Sequence, residues 1–223
     1  MELVSGVDLH FITSKKFKTN RIKMRFSAPM STDTIAGRVL VASMLETANE
    51  AYPTSQIFRE RLATLYGANF STGLSRRGLI HYVDLNISFV SDAFLSRKNT
   101  LTGEILDFLK DSLLKPLANE GAFNQAVFEI EKKNVLNDLK TEIEDHFYHA
   151  HQELNKLFYT EKEMQTPRLA TPDLVDKETP ESSFAIFQKM LQNDKIDIFF
   201  MGDFNEIEVC EYMKTFGLQP RQL

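Results

Sequence analysis

Val7-Asp8-Leu9-His10-Phe11-Ile12 and Arg21-Ile22-Lys23-Met24-Arg25-Phe26 alternate apolar and polar residues with a period of two, the pattern of strands that bury one face and leave the other to water. Such strands need a sheet whose apolar side is covered, and the remaining sequence supplies both neighbours and cover. Lys18-Thr19-Asn20 turns the chain between the two strands, and residues 28–33 read as a loop. Residues 35–50 have the apolar spacing of a helix, which Pro53 ends. Thr54 or Ser55 can cap the next helix, carrying Ile57, Phe58, Leu62 and Leu65 and stopping at Gly67. Residues 69–75 and 79–89 read as strands around Arg76-Arg77-Gly78, a connection of hairpin size.

Beyond this point helices dominate. Ser91 and Asp92 open a helical region that runs to Lys115 and closes at Pro116. A long helical segment over residues 123–158, expected to bend or break, has Val127, Ile130, Val135, Leu139 and Ile143 as its buried side. Residues 159–179 read as a surface loop with Pro167 and Pro172. Thr179-Pro180 places a cap before a proline at the first helical position, leading into a helix through Met190. Lys195-Ile196-Asp197-Ile198-Phe199-Phe200-Met201 is a buried strand, Gly202-Asp203 turns, and a last helix covers residues 206–216. The interleaving predicts an α+β domain, with a mixed, largely antiparallel sheet covered by helices. Residues 1–223 are expected to form one unit.

With 223 residues, 43% of them hydrophobic, the chain can bury a core without staples. The lone Cys210 excludes an internal disulfide, and its helix, shared with Val209 and Met213, suggests an inert buried thiol. No apolar run is long enough for a membrane helix, and Met1-Glu2-Leu3-Val4-Ser5 lacks the basic start and apolar stretch of a signal peptide. A reducing, cytoplasmic setting is the expectation, with no membrane partner. A net charge of −5 argues against nucleic acid as a partner. The basic residues Lys15, Lys16, Lys18, Arg21, Lys23 and Arg25 alternate with apolar ones, as on a solvated strand face.

Ser43-Met44-Leu45-Glu46-Thr47 lies inside the first helix, within residues 39–53. That stretch resembles the active helix of the pitrilysin/insulinase-like zinc peptidases, which carries His-x-x-Glu-His: two imidazoles grip zinc and the Glu acts as base. Leu62-x-x-Leu65-Tyr66-Gly67-Ala68 resembles the family's segment leading to its next strand. Phe128-Glu129-Ile130-Glu131-Lys132 resembles its third-ligand helix, and Ile198-Phe199-Phe200-Met201-Gly202-Asp203 the strand and turn near the end of its first unit. The likeness spans nearly the whole chain and implies that the chain is the first unit of a two-unit half, as a truncated chain would be. It puts the first histidine at Ser43, the base at Glu46, the second histidine at Thr47, and the third ligand at Glu129 with Glu131 as the alternative.

Both imidazoles are replaced by hydroxyls, which stay protonated near neutral pH and are weak zinc donors. The resemblance thus implies no catalytic residue, no metal and no cofactor, although active relatives use zinc; without zinc Glu46 has nothing to activate and reads as a tolerated helix residue. Phe17-Lys18-Thr19-Asn20 and the replaced histidines look most like a non-catalytic bacterial branch associated with peptide processing. The implied function is an inactive peptidase-like protein that pairs with a homologous active zinc peptidase and helps enclose an extended peptide. The alternatives are an active zinc endopeptidase with displaced ligands and a stand-alone peptide-binding module. In active members a peptide adds as a strand to a sheet edge, expected here at residues 69–75 or 79–89.

Other constellations are weaker. His146, His149 and His151, near Asp145 and Glu153, could in part share a helix face and take a transition metal, but a solvated face explains them more simply. Phe147, Tyr148, Phe158 and Tyr159 are read as core residues rather than a stacking platform.

Overall fold

The computed structural model describes residues 1–96 and 100–222, apart from the side chain of Ile143. Its centre is a six-stranded sheet built from β1 (Glu2–Val4), β2 (Val7–Thr13), β3 (Thr19–Pro29), β4 (Asn69–Arg77), β5 (Ile80–Val90) and a late strand, Lys195–Gly202, called β8. The order across the sheet is β1-β2-β8-β3-β5-β4. β2 and β8 run parallel and every other pair is antiparallel. The expected mixed, largely antiparallel sheet is therefore present. β8 inserts between β2 and β3, so the turn after β2 joins strands that are not neighbours.

Alternation sets the two faces of the sheet. Val7, Leu9, Ile22, Met24, Phe26, Val83, Leu85, Ile87, Ile196, Ile198 and Phe200 are buried on the side covered by helices. On the other side Asp84 receives Lys23 Nζ at 2.7 Å and, in a two-pronged contact, Arg25 Nε at 2.7 Å and Nη2 at 2.9 Å. Two members of the basic cluster, half-buried instead of solvated, thus neutralise one buried carboxylate on the adjacent strand.

The helical layer holds α1 (Ile35–Thr47), α2 (Ser55–Thr64) and α3 (Leu101–Leu114). After a two-stranded ribbon, β6 (Ala118–Asn119) and β7 (Ala122–Phe123), come α4 (Gln125–Glu144), α5 (His146–Phe158), the short α6 (Lys162–Gln165) and α7 (Pro172–Asp176), then α8 (Pro180–Asn193) and, after β8, α9 (Glu206–Lys214). Thr54 is the cap of α2, accepting from the Ile57 amide at 3.2 Å, and Thr179 caps α8. The rings of Phe58, Phe70 and Phe108 meet at centroid distances of 5.0 to 5.8 Å, joining α2, β4 and α3.

Several expectations need correction. The helical region opened by Ser91 is a one-turn helix over Asp92–Phe94 followed separately by α3, with residues 97–99 outside the described set. The long helix breaks, as expected, at Asp145, whose carboxylate caps α5 by accepting from the amides of Phe147 and Tyr148, whereas residues 159–179, expected as a loop, contain two short helices. Ile130 is 60% exposed; the inward face of α4 holds buried Phe128 and Leu139, with Val135 half-buried. Val135 and Leu139 lie on the expected side, and the difference is near the start of α4, where Phe128 is buried and Ile130 is not. Phe147 and Phe158 are 91% and 74% exposed and belong to no core. Cys210 is half-buried, and burial pushes its thiol pKa up.

At the β8 turn, Gly202 has φ of +135° in the region that favours glycine, and the space a side chain would need is held by Asn20. The buried Asn20 amide is satisfied by Asp203, accepting from its N–H at 2.9 Å and donating to its C=O at 3.0 Å. No helix of the described residues is long and apolar enough to cross a membrane.

Candidate functional site

Ten of the thirteen residues of α1 are buried. Ser43, Glu46 and Thr47 are the three that are not, and their i, i+3, i+4 spacing puts them on one stripe. The stripe faces a cleft of about 700 Å³ bounded by α1, α4, the start of α2 and strand β4. Asp138, Val135 and Glu131 line it from α4, Arg59 from α2, and Thr72 and Leu74 from β4.

The geometry decides between the two glutamates offered for the third-ligand position. Phe128, Glu131, Val135 and Leu139 follow one another at helical spacing, so burial of the apolar members turns Glu131 inward. Ser43 Oγ donates to Glu131 Oε2 at 2.6 Å. Glu129 is exposed and accepts from Gln125 Nε2 at 2.8 Å on its own helix. Two residues apart on a helix lie on nearly opposite faces, so Glu129 is replaced by Glu131 as the residue opposite Ser43.

Each remaining polar group of the stripe is already engaged. Thr47 Oγ1 turns back and donates to the Ser43 carbonyl at 3.0 Å. Glu46 Oε2 accepts two hydrogen bonds from Thr72, from the backbone N–H at 2.8 Å and from Oγ1 at 2.7 Å. Arg59 Nη2 stands 4.0 Å from the other carboxylate oxygen and is largely exposed, a weak attraction at most. Glu46 is therefore more than a tolerated helix residue: it joins α1 to β4.

This arrangement does not fit zinc. A zinc ligand set needs deprotonated sulfur, neutral imidazole or free carboxylate. Here one hydroxyl donates to Glu131, the other is spent on its own helix, and the carboxylate of Glu46 is held by the strand. Among the described residues no three histidine, cysteine, aspartate or glutamate side chains converge as a metal site. The α5 histidines do not form one: His146, His149 and His151 are exposed, Asp145 serves as a cap, and His151 Nδ1 meets Asn155 Nδ2 at 3.1 Å.

Of the two strands expected to offer an edge, β4 is the outer strand of the sheet and borders the cleft, whereas β5 is enclosed between β3 and β4. Two residues not singled out by sequence reasoning hold the loop that closes this end. Arg76 Nη1 donates to the carbonyl of Thr166 at 2.7 Å and to those of Glu163 and Met164. His81 Nε2 meets the Arg168 carbonyl at 3.0 Å, while its Nδ1 lies 3.2 Å from Arg38 Nε. Because the guanidinium can only donate, His81 is neutral with its proton on Nε2. Burial, then the Arg38 charge, lowers its pKa to about 4. The only hint in the sequence was a polar residue at an inward strand position.

Comparison with known proteins places this geometry in context. No family model matches the sequence. The chain is 22% identical over 214 residues to the probable inactive metalloprotease YmfF of Bacillus subtilis, covering 94% of this chain and 50% of that protein. Among solved structures, a conserved protein from Enterococcus faecalis superposes with a TM-score of 0.96 at 35% identity, over 100% of this chain and 52% of its own. A peptidase M16 inactive domain from Pseudomonas fluorescens gives a TM-score of 0.75 at 15% identity, over 98% of this chain and 50% of its own. The chain spans about half the length of each of these proteins.

Proposed function

We propose that this chain, a degenerate unit of the pitrilysin/insulinase-like peptidase family, holds extended peptide for an active zinc-bearing homologue and does not itself cut it. One observation carries the reading: the helix stripe that would grip zinc is occupied by Ser43, Glu46 and Thr47, satisfied by their neighbours, while the edge strand β4 still opens onto the cleft. Chemistry at such a site needs a metal to acidify water and polarise the peptide carbonyl. Strand addition needs only an exposed edge and room beside it. The first capacity has been replaced by hydrogen bonds internal to the protein, and the second depends on backbone that the fold retains.

Pairing with a homologous subunit is part of the proposal. The known proteins it resembles are about twice as long, and a lone cleft open on one side would enclose a peptide poorly. The test is co-expression with a zinc-bearing homologue from the same source. The expected result is co-purification, faster peptide cleavage by the mixture than by the homologue alone, and no zinc in this chain by metal analysis. Stoichiometric zinc in the isolated chain, or peptide cleavage by it without a partner, would overturn the reading.

A further inference from the structure

Resting on the peptide-holding reading above, we infer that Glu46 is a built-in competitor for the sheet edge, occupying the backbone donor that an incoming peptide strand would use. In an antiparallel pair, successive residues point their N–H and C=O groups alternately toward the partner strand and away from it. Thr72 is opposite Leu85 in the β4–β5 register, and its N–H points away from β5 to Glu46 at 2.8 Å. By the same periodicity Phe70, Leu74 and Arg76 direct their backbone groups outward. At the Arg76 end, the guanidinium draws the carbonyls of residues 163, 164 and 166 against the strand. The accessible stretch of edge is thus centred on Thr72, where the carboxylate sits.

The contact is chemically suited to this role. Glu46 Oε2 accepts both the amide and the Thr72 hydroxyl, a charge-assisted pair of bonds stronger than the neutral amide–carbonyl bond a peptide would offer. Glu46 is not locked in by a close cation, since Arg59 stands 4.0 Å away, and its side chain is 30% exposed at the cleft. It can swing out into water when a peptide strand arrives. A peptide must therefore displace Glu46 to pair across Thr72, and the edge is kept from pairing indiscriminately with other strands.

The experiment uses the full chain and a short fluorescein-labelled peptide of Thr-Val-Lys repeats, with binding read by anisotropy. Glu46→Ala is expected to bind roughly tenfold more tightly than the parent, the scale of one charge-assisted hydrogen bond. Glu46→Gln, which keeps an acceptor oxygen without the charge, is expected to fall between them. Amide exchange of Thr72 followed by NMR should accelerate in Glu46→Ala while that of inward-facing Ser71 stays put. Equal affinity in Glu46→Ala and parent, with binding detected in both, overturns the inference and leaves Glu46 a structural tie. Unchanged Thr72 exchange overturns it as well. Binding by neither protein, with Thr72 exchange accelerated, defeats the peptide-holding reading and the inference with it.

Discussion

Helix α1 carries two polar clusters only five residues apart, and they live in opposite surroundings. In the first, Arg38 is 3% exposed and reaches Asp194 Oδ2 with Nη1 at 2.7 Å, His81 with Nε, and the Phe26 carbonyl with Nη2 at 3.4 Å. Arg221 closes the group by donating to the Asp194 carbonyl at 3.1 Å. The second cluster, Ser43, Glu46, Thr47 and Glu131, is half-open to the cleft. A charge buried without a partner costs several kcal/mol, whereas a polar group at a cleft can fall back on water. The Arg38 cluster is thus tied to the survival of the fold. The Ser43 cluster, with water within reach, is free to change without exposing the fold to such a cost.

The two clusters differ most at Arg38. Arg38→Met strands the Asp194 carboxylate in the core and is expected to lower stability by about 3–5 kcal/mol, read as a shift of the urea midpoint. Arg38→Met combined with Asp194→Leu should recover part of that loss, because the stranded carboxylate is gone while Arg221 keeps the carbonyls of Gln219 and Asp194 as its partners. A double variant no more stable than the single one would mean that the cluster does not act as a pair.

Acid attacks the same cluster next most strongly. Folded His81 accepts a proton only near pH 4, against an ordinary value of 6.5. The unfolded chain therefore binds the extra proton between these values, and stability falls as the pH drops through that window. The full contribution, roughly 3 kcal/mol, is present above pH 6.5. Asp194 acts in the opposite sense, since burial outweighs Arg38 and raises its pKa, so the observed loss will be smaller. Imidazole NMR resonances of His81 that stay neutral down to about pH 4 would support the assignment; titration near 6.5 would refute it.

Most of the framework was legible because period-two and helical patterns report burial directly. The strands at residues 7–12, 21–26 and 195–201 all lie within observed strands, and Thr179-Pro180 marked the start of α8. What escaped depended on contacts distant in sequence. The insertion of β8 between β2 and β3 brings together residues about 190 apart, such as His10 and Phe199, and nothing local encodes it. The Glu129 error was of another kind. Glu129 rests on the family resemblance alone, whereas the phase of Phe128, Val135 and Leu139 along the helix turns its alternative, Glu131, inward. The roles of Thr72, Arg76 and His81 required the strand edge and the loop at residues 163–168 to be seen side by side.

At the cleft, substitution should alter binding more than folding. Ser43→His with Thr47→His would face Glu131 and create a two-imidazole, one-carboxylate set of the kind that holds zinc. The double variant is expected to take up zinc in equimolar amount by calorimetry and to gain about 2–3 kcal/mol of stability at a hundredfold excess over its dissociation constant. The parent should gain nothing. Failure to bind zinc would mean that this stripe and Glu131 do not converge closely enough to be the counterpart of a metal site.

The smallest effect is expected from Ser43→Ala. It removes the 2.6 Å bond to Glu131, but the carboxylate lines an open cleft and can be rehydrated, so the loss should be at most about 1 kcal/mol. Urea unfolding of this variant beside Arg38→Met puts the two clusters of α1 on one scale. A loss at Ser43 comparable to that at Arg38 would show that the cleft contact is also part of the structural frame, and that the absent histidines were replaced by a contact the fold now requires.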